Sequence, residues 1–194
     1  MTRSRKPSVR NPEETAARLV DAADSLFNSV GFDGTDTNRI AREAGYAPQT
    51  FYRHFEDKTD IFLAVYQRWW QSESDEVEKI LGGKGPADAG RLADTIIAFH
   101  VRWRGFRRSL RHLAVADDRV RAARTNARVA QIARARAWLL KSHRSDAEAY
   151  ASLLVFERLC DAVAEGEFAD MGFSKALARQ AVITAITQRF ELKA

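Results

Sequence analysis

Cysteine is almost missing from this chain of 194 residues. Cys160 is the only one, so no disulfide can close within the chain and a reducing cytosol is the expected compartment. No apolar run approaches the roughly 18 residues that a membrane span requires. The start, M-T-R-S-R-K-P-S-V-R-N-P, runs into Glu13 and Glu14 and not into an apolar stretch, which argues against a secretory signal. There is no Gly-rich phosphate loop, no H-E-x-x-H and no Cys/His group at metal-ligand spacing. These absences weigh against a secreted or membrane protein and against a metal- or nucleotide-dependent enzyme; neither cofactor nor catalysis is expected. What remains is ordinary for a chain that buries a core, with 45% apolar residues.

The densest information lies in T-D-T-N-R-I-A-R-E-A-G-Y-A-P-Q-T-F-Y-R-H-F-E-D-K, residues 35–58. Thr35 or Asp36 can cap a first short helix whose apolar residues are Ile40, Ala41 and Ala44. Gly45 supplies a stop, since a left-handed residue ends a helix and glycine takes that conformation without a Cβ clash. Pro48 then suits the first position of a second helix. Phe51 is its inward residue, while Gln49, Thr50, Tyr52, Arg53 and His54 are hydrogen-bonding types that point outward. Two short helices about a glycine turn predict a helix-turn-helix, whose second helix enters the DNA major groove. Ahead of it, Leu19, Ala22, Ala23, Leu26, Phe27 and Val30 recur at helical spacing, and Gly31 closes that helix.

The order A-x-x-L-F-x-x-x-G-F-x-x-T, then I-A-x-x-A-G, then T-F-Y-x-H-F-x-x-K, across residues 14 to 66, resembles the amino-terminal domain of TetR-family bacterial transcriptional regulators. The resemblance implies a repressor that leaves a palindromic operator when a small molecule binds. Gln49 and Thr50 are then best placed for base edges, with Arg53 on a guanine or a phosphate. Tyr52, His54 and Lys58 match family positions that grip phosphate, and Thr37, Asn38 and Pro48 complete the candidate DNA-binding set. Two positions depart from the family pattern. Ala47 stands where serine often caps the second motif helix, a loss of about 1 kcal/mol that Pro48 partly offsets. Thr37 stands where a small valine-like residue is usual.

The net charge of +5 is unevenly spread. Arg3, Arg5, Lys6 and Arg10 make residues 1–12 a flexible basic arm, able to follow phosphates or a minor groove, or simply a solubilising tail. Residues 13–57 form the DNA-binding domain and 58–194 a helical ligand-binding and dimerisation domain. A second basic run, from Arg102 to Arg144, includes Arg107, Arg111, Arg124, Arg128 and Arg134 against only Asp117 and Asp118. It suits either an anionic effector held by guanidinium forks or solvated helix faces whose arginine stems cover apolar surface.

The body reads as helices throughout, so the fold expected is all-α. A fourth helix runs from Lys58 to Leu81. Leu92, Ile96, Phe99, Trp103 and Phe106 share one helical period. Asp117 and Asp118 open a helix with Val129, Ile132, Ala133 and Leu140 on its apolar side. Asp146 and Ser174 cap the last two. Those two helices are the expected homodimer surface, through Ala151, Leu154, Val155, Ala181, Val182, Ala185 and Ile186, because a two-fold pair doubles the base contacts of one helix; closing the monomer core is the alternative. Trp69, Trp70, Phe99, Trp103, Phe106, Trp138 and Phe156 are candidate walls of an effector pocket, or plain core. His100 and His112 are candidate polar contacts there. Glu157, Cys160, Asp161 and Glu165 share a region of one helix, but no histidine is near them in sequence. A ligand-free regulator and an all-α enzyme with a regulatory head are the competing readings.

Overall fold

The computed structural model describes residues 11–82, 88–138 and 145–190, the side chains of 135–138 and 189–190 excepted. Every regular element among the described residues is helical, as the periodicity requires. The residues divide into two compact units between Tyr66 and Gln67.

The first unit, the head, begins with α1 (Pro12–Ser29). Asn11 caps it by accepting from the Glu13 N–H at 3.1 Å, and Glu13 and Glu14 complement the helix dipole in the first turn. Leu19, Ala22, Ala23, Leu26 and Phe27 form its buried stripe, whereas Val30, expected on that stripe, is 42% exposed. Val30 lies past the last helical turn, where the helical period no longer sets side-chain direction. Next come α2 (Thr37–Glu43), capped by Asp36 through a 2.7 Å bond from the Arg39 N–H, and the short α3 (Pro48–Phe51). Phe27, Phe32 and Phe62 meet with centroids 5.2–5.7 Å apart. Ile40, Phe51 and Ile61 are fully buried beside them in this unit.

Phe62 and Ile61 belong to α4 (Lys58–Leu81). The head therefore includes the first turns of that helix and does not stop at residue 57. The boundary expected from the motif falls short because the head core lacks a fourth wall without Ile61, Phe62 and Val65, all fully buried.

The second unit, the body, contains the rest of α4 with α5 (Ala89–Arg102), α6 (Arg104–Ala116), α7 (Asp118–Trp138), α8 (Asp146–Glu165), α9 (Glu167–Asp170) and α10 (Lys175–Phe190). Its apolar core joins Leu92, Ala93 and Ile96 of α5 to Cys160 of α8 and Val182, Ile183 and Ile186 of α10. The single helical period read through Leu92 to Phe106 is in fact two helices. Trp103, at φ −104° and ψ 17°, interrupts them, yet both Trp103 and Phe106 remain buried with centroids 5.9 Å apart. On α7, Val129 is 63% exposed and so does not belong to a buried face; Leu140 lies outside the described residues. The cap of α8 is Ser145, not Asp146. Ser145 and Glu148 form a reciprocal capping box, and Asp146 lies in the first turn, where its charge complements the helix dipole. At the last helix Ser174 does cap, accepting from the Leu177 N–H at 3.3 Å.

Candidate nucleic-acid interface and effector cavity

The motif's geometry follows from where its apolar residues are held. Gly45 sits at φ +79°, and the chain then turns so that Tyr46 is buried and Pro48 starts α3. Ala47 makes no side-chain cap, as its chemistry demands. Phe51 anchors α3 inward, packed edge-on to Tyr52 at 5.3 Å and against Phe55 at 5.7 Å. With that residue fixed, Gln49, Tyr52 and Arg53 are exposed, and Pro48, Thr50 and His54 are half-buried. Asn38 is exposed and Thr37 half-buried on α2. The Thr37 hydroxyl and the Tyr52 hydroxyl lie 2.9 Å apart, a link that spacing alone did not reveal. It ties the start of α2 to the end of α3 and orients the phenol.

Lys58 behaves differently from the expectation. Its ammonium donates to the Phe32 and Thr35 carbonyls at 2.9 and 3.0 Å and lies 4.0 Å from the Phe32 ring centroid. Two of its three donors are therefore spent within the chain, on the loop between α1 and α2. The ammonium thus anchors that loop within the chain. Lys58→Ala is expected to cost the head about 1.5–3 kcal/mol, the range for hydrogen bonds to a charged group, read as a lower thermal midpoint. An unchanged midpoint with a salt slope of DNA binding reduced by about one contact would return Lys58 to the phosphates.

In the body, a cavity of about 110 Å³ opens among α4, α5, α6, α7 and α8. Val77, Leu81, Ile96, Leu153 and Phe156 give it apolar walls; Glu73, His100, Arg107, Gln131, Arg134 and Glu157 give it polar ones. Among the described side chains of the aromatic residues proposed for a pocket, Phe156 alone lines it. Trp69, Trp103 and Phe106 are core residues, 5% exposed or less. Trp69 packs on Phe106 at 6.2 Å. Phe99 and Trp70 are half-buried outside the lining, with the Arg134 guanidinium 4.9 Å from the Trp70 ring. The Trp138 side chain lies outside the described residues. A shared helical stripe places aromatic rings inward, and interior close packing then leaves no space beside most of them.

Below the cavity lies a charge network that neither reading of the arginine run foresaw. Asp161 accepts from Arg107 Nε at 2.6 Å, from Arg111 at 2.6 Å and from His100 Nδ1 at 2.9 Å. Arg111 also bonds Glu165. Arg128 and Arg124 reach Glu157 at 2.5 and 3.5 Å. These arginines are thus neither free anion forks nor solvated faces, because α8 answers them with carboxylates. Burial alone would push the Asp161 carboxyl up; the His100 and Arg107 hydrogen bonds, with the guanidinium charge, overcome it and hold it well below the usual carboxylate range. Burial pushes the neighbouring Cys160 thiol up, which leaves it protonated and unreactive. His112 is exposed and joins none of this.

The surface expected to pair two chains is partly interior. Val182 and Ile186 are fully buried within the body core, so they cannot contact a second chain. Val155 (71% exposed), Leu154 and Ala151 of α8 do face outward, and Ala181 and Ala185 of α10 are half-buried.

Residues 19–65 match the family described as bacterial regulatory proteins, tetR family. An HTH-type transcriptional regulator of Staphylococcus aureus (strain USA300) is 39% identical over 59 residues, which is 30% of this chain and 32% of that protein. The chain thus matches about a third of the length of its curated relatives. Whole-chain similarity is one of fold. A transcriptional regulator from Rhodococcus sp. Rha1 has a TM-score of 0.70 at 14% identity, over 91% of this chain and 96% of that one. A transcriptional-regulator candidate from Saccharomonospora viridis, solved in complex with choline, has a TM-score of 0.68 at 17% identity, over 94% and 100% of the two chains.

Proposed function

Because this chain belongs, through its amino-terminal domain, to the TetR family of bacterial regulatory proteins, we propose that it is a cytoplasmic transcriptional repressor that grips a palindromic operator as a homodimer and releases it when a small molecule enters the body cavity. One observation carries the DNA reading. Phe51 and Ile40 are locked in the head core while Gln49, Thr50, Tyr52 and Arg53 stand along the outer side of the motif. In this reading Gln49 pairs with adenine, the Thr50 methyl meets thymine and Arg53 takes a guanine or a phosphate. Tyr52, held by Thr37, and His54 position the phosphates, with Asn38 and the α3 start at Pro48 beside them.

The ligand half rests on the cavity, and the choline complex of a protein with the same fold supports it. It is favoured over a ligand-free regulator by that space and over an enzyme by the inert environment of Cys160. An effector can loosen DNA only if it binds one dimer geometry more tightly than another. Helix α4 is the covalent route, carrying head-core residues Ile61 and Phe62 and, further along, Glu73, Val77 and Leu81 of the cavity wall.

Selection of bound fragments from genomic DNA tests the regulator reading. A two-fold symmetric site with half-sites about 34–36 Å apart, or another separation that suits the groove, is expected; no enrichment at low salt would end it. For the dimer, Ala151, Leu154, Val155, Ala181 and Ala185 remain the proposed contacts. Val155→Glu is expected to shift the chain to monomer in light scattering and to weaken operator binding at least tenfold. Unchanged thermal stability would show that the fold survives, and a persistent dimer would remove α8 from the interface.

A further inference from the structure

The head is acidic. Residues 11–66 hold ten Asp and Glu against five Lys and Arg. That balance is unfavourable for a unit offered to DNA, because phosphate neutralisation supplies nearly all non-specific affinity and much of the specific. Two of the five cations are already engaged within the chain. Lys58 donates to the Phe32 and Thr35 carbonyls, and Arg39 to the Gly34 carbonyl at 3.1 Å. Residues 1–10 reverse the balance, with Arg3, Arg5, Lys6 and Arg10 and no acid. They lie outside the described residues, but the place where they join the head does not. Asn11 caps α1. Pro12 and Thr15, in the first turn, share an open groove with Tyr46, Thr50, Arg53 and His54. The chain therefore enters the head beside three of the side chains proposed for DNA, and the basic segment is delivered there.

We propose that this arm binds the DNA minor groove next to the major groove entered by α3, with Arg3 and Arg5 in the minor groove and Arg10 on the phosphate strand between the two. Reach permits it. Six residues separate Arg5 from Asn11, a span of up to about 20 Å at roughly 3.3–3.6 Å per extended residue. The major groove is about 12 Å wide and the minor about 6 Å, so that span crosses one strand. Chemistry favours the groove over the phosphates alone, because three of the four cations are arginine. A guanidinium is more weakly hydrated than an ammonium, and the narrow minor groove of A·T tracts concentrates negative potential. A solubilising tail, or an arm folded back on the exposed Glu13 and Glu14, would leave DNA affinity untouched. The inference rests on reading the head as a DNA reader, but not on the body cavity.

Anisotropy titrations of the full chain over a range of salt test it, using the duplex recovered by genomic selection with its bordering base pairs made A·T or G·C. Wild type is expected to favour A·T borders by roughly fivefold or more. Arg3→Ala with Arg5→Ala should erase that preference and flatten the logarithmic salt slope by about 0.9 per lost contact, about two contacts per half-site. Arg3→Lys with Arg5→Lys keeps the charge and should keep the slope, yet lose most of the preference. Thermal midpoints should not move, since α1 and its Asn11 cap are intact. A wild type without the preference, or a lysine pair that matches wild type in both readouts, overturns the groove assignment. So does a slope or a preference that survives the alanine pair. Each of these failures leaves the head as a DNA reader. A wild-type chain that recovers no fragment and binds no duplex at low salt would end both readings.

Discussion

An Asp161→Ala chain is expected to lose about 3–5 kcal/mol of stability, the range measured when one partner is removed from a buried ion pair. Asp161 is 4% exposed and accepts from His100, Arg107 and Arg111. Its removal leaves Arg107, also 4% exposed, as a buried charge with its 2.6 Å partner gone. Set against a typical total of roughly 5–15 kcal/mol, that loss should appear as a drop of many degrees in the thermal midpoint. A double replacement, Arg107→Leu with Asp161→Leu, should recover much of it, since the cost lies in leaving one charge alone. The pH dependence has a definite sign. Asp161 is held below its ordinary value in the fold, so its contribution is complete above the unfolded carboxyl value of about 3.9 and fades as pH falls below it. The difference between wild type and Asp161→Ala should therefore be flat near neutrality and shrink on acidification. A gap that widens towards low pH would contradict the assignment.

Phe51→Ala is expected to cost the head about 3–5 kcal/mol, as a fully buried phenylalanine does on truncation. It should abolish DNA binding at every salt concentration. Helix α3 has four residues, far too few to persist without tertiary packing, so its outer side chains keep their positions only while Phe51 holds it. Gln49→Ala makes the contrast. Gln49 is exposed, so stability should not move, while affinity for the selected operator falls by about 1–3 kcal/mol and non-specific binding stays. Together the two variants separate holding the motif from reading with it. Equal losses on specific and non-specific DNA for Gln49→Ala would place that side chain on phosphate.

Most of the head was legible because its determinants are local. Gly45, Pro48, Asp36 and the spacing of Leu19 to Phe27 each constrain a turn, a cap or a buried stripe within a few residues of themselves. Where local reading erred, a distant partner decided. Lys58 looked like a free cation until the Phe32 and Thr35 carbonyls, 26 and 23 residues away, took its ammonium. The stripe of Val182 and Ile186 announced burial correctly but not the surface it meets, which is Leu92 and Ile96 of the same chain. The acidic region of α8 had no histidine near it in sequence, yet His100 arrives from 61 residues off.

Residue order alone determined that the chain is helical, the stops of the head helices and the outward set on the motif, since backbone propensity, capping and amphipathic period act over a turn or two. Long-range packing decided which charges are answered, which aromatic rings are core and where space remains. Those outcomes depend on residues that only folding brings within hydrogen-bonding distance, as Arg107, Arg111 and His100 are brought to Asp161.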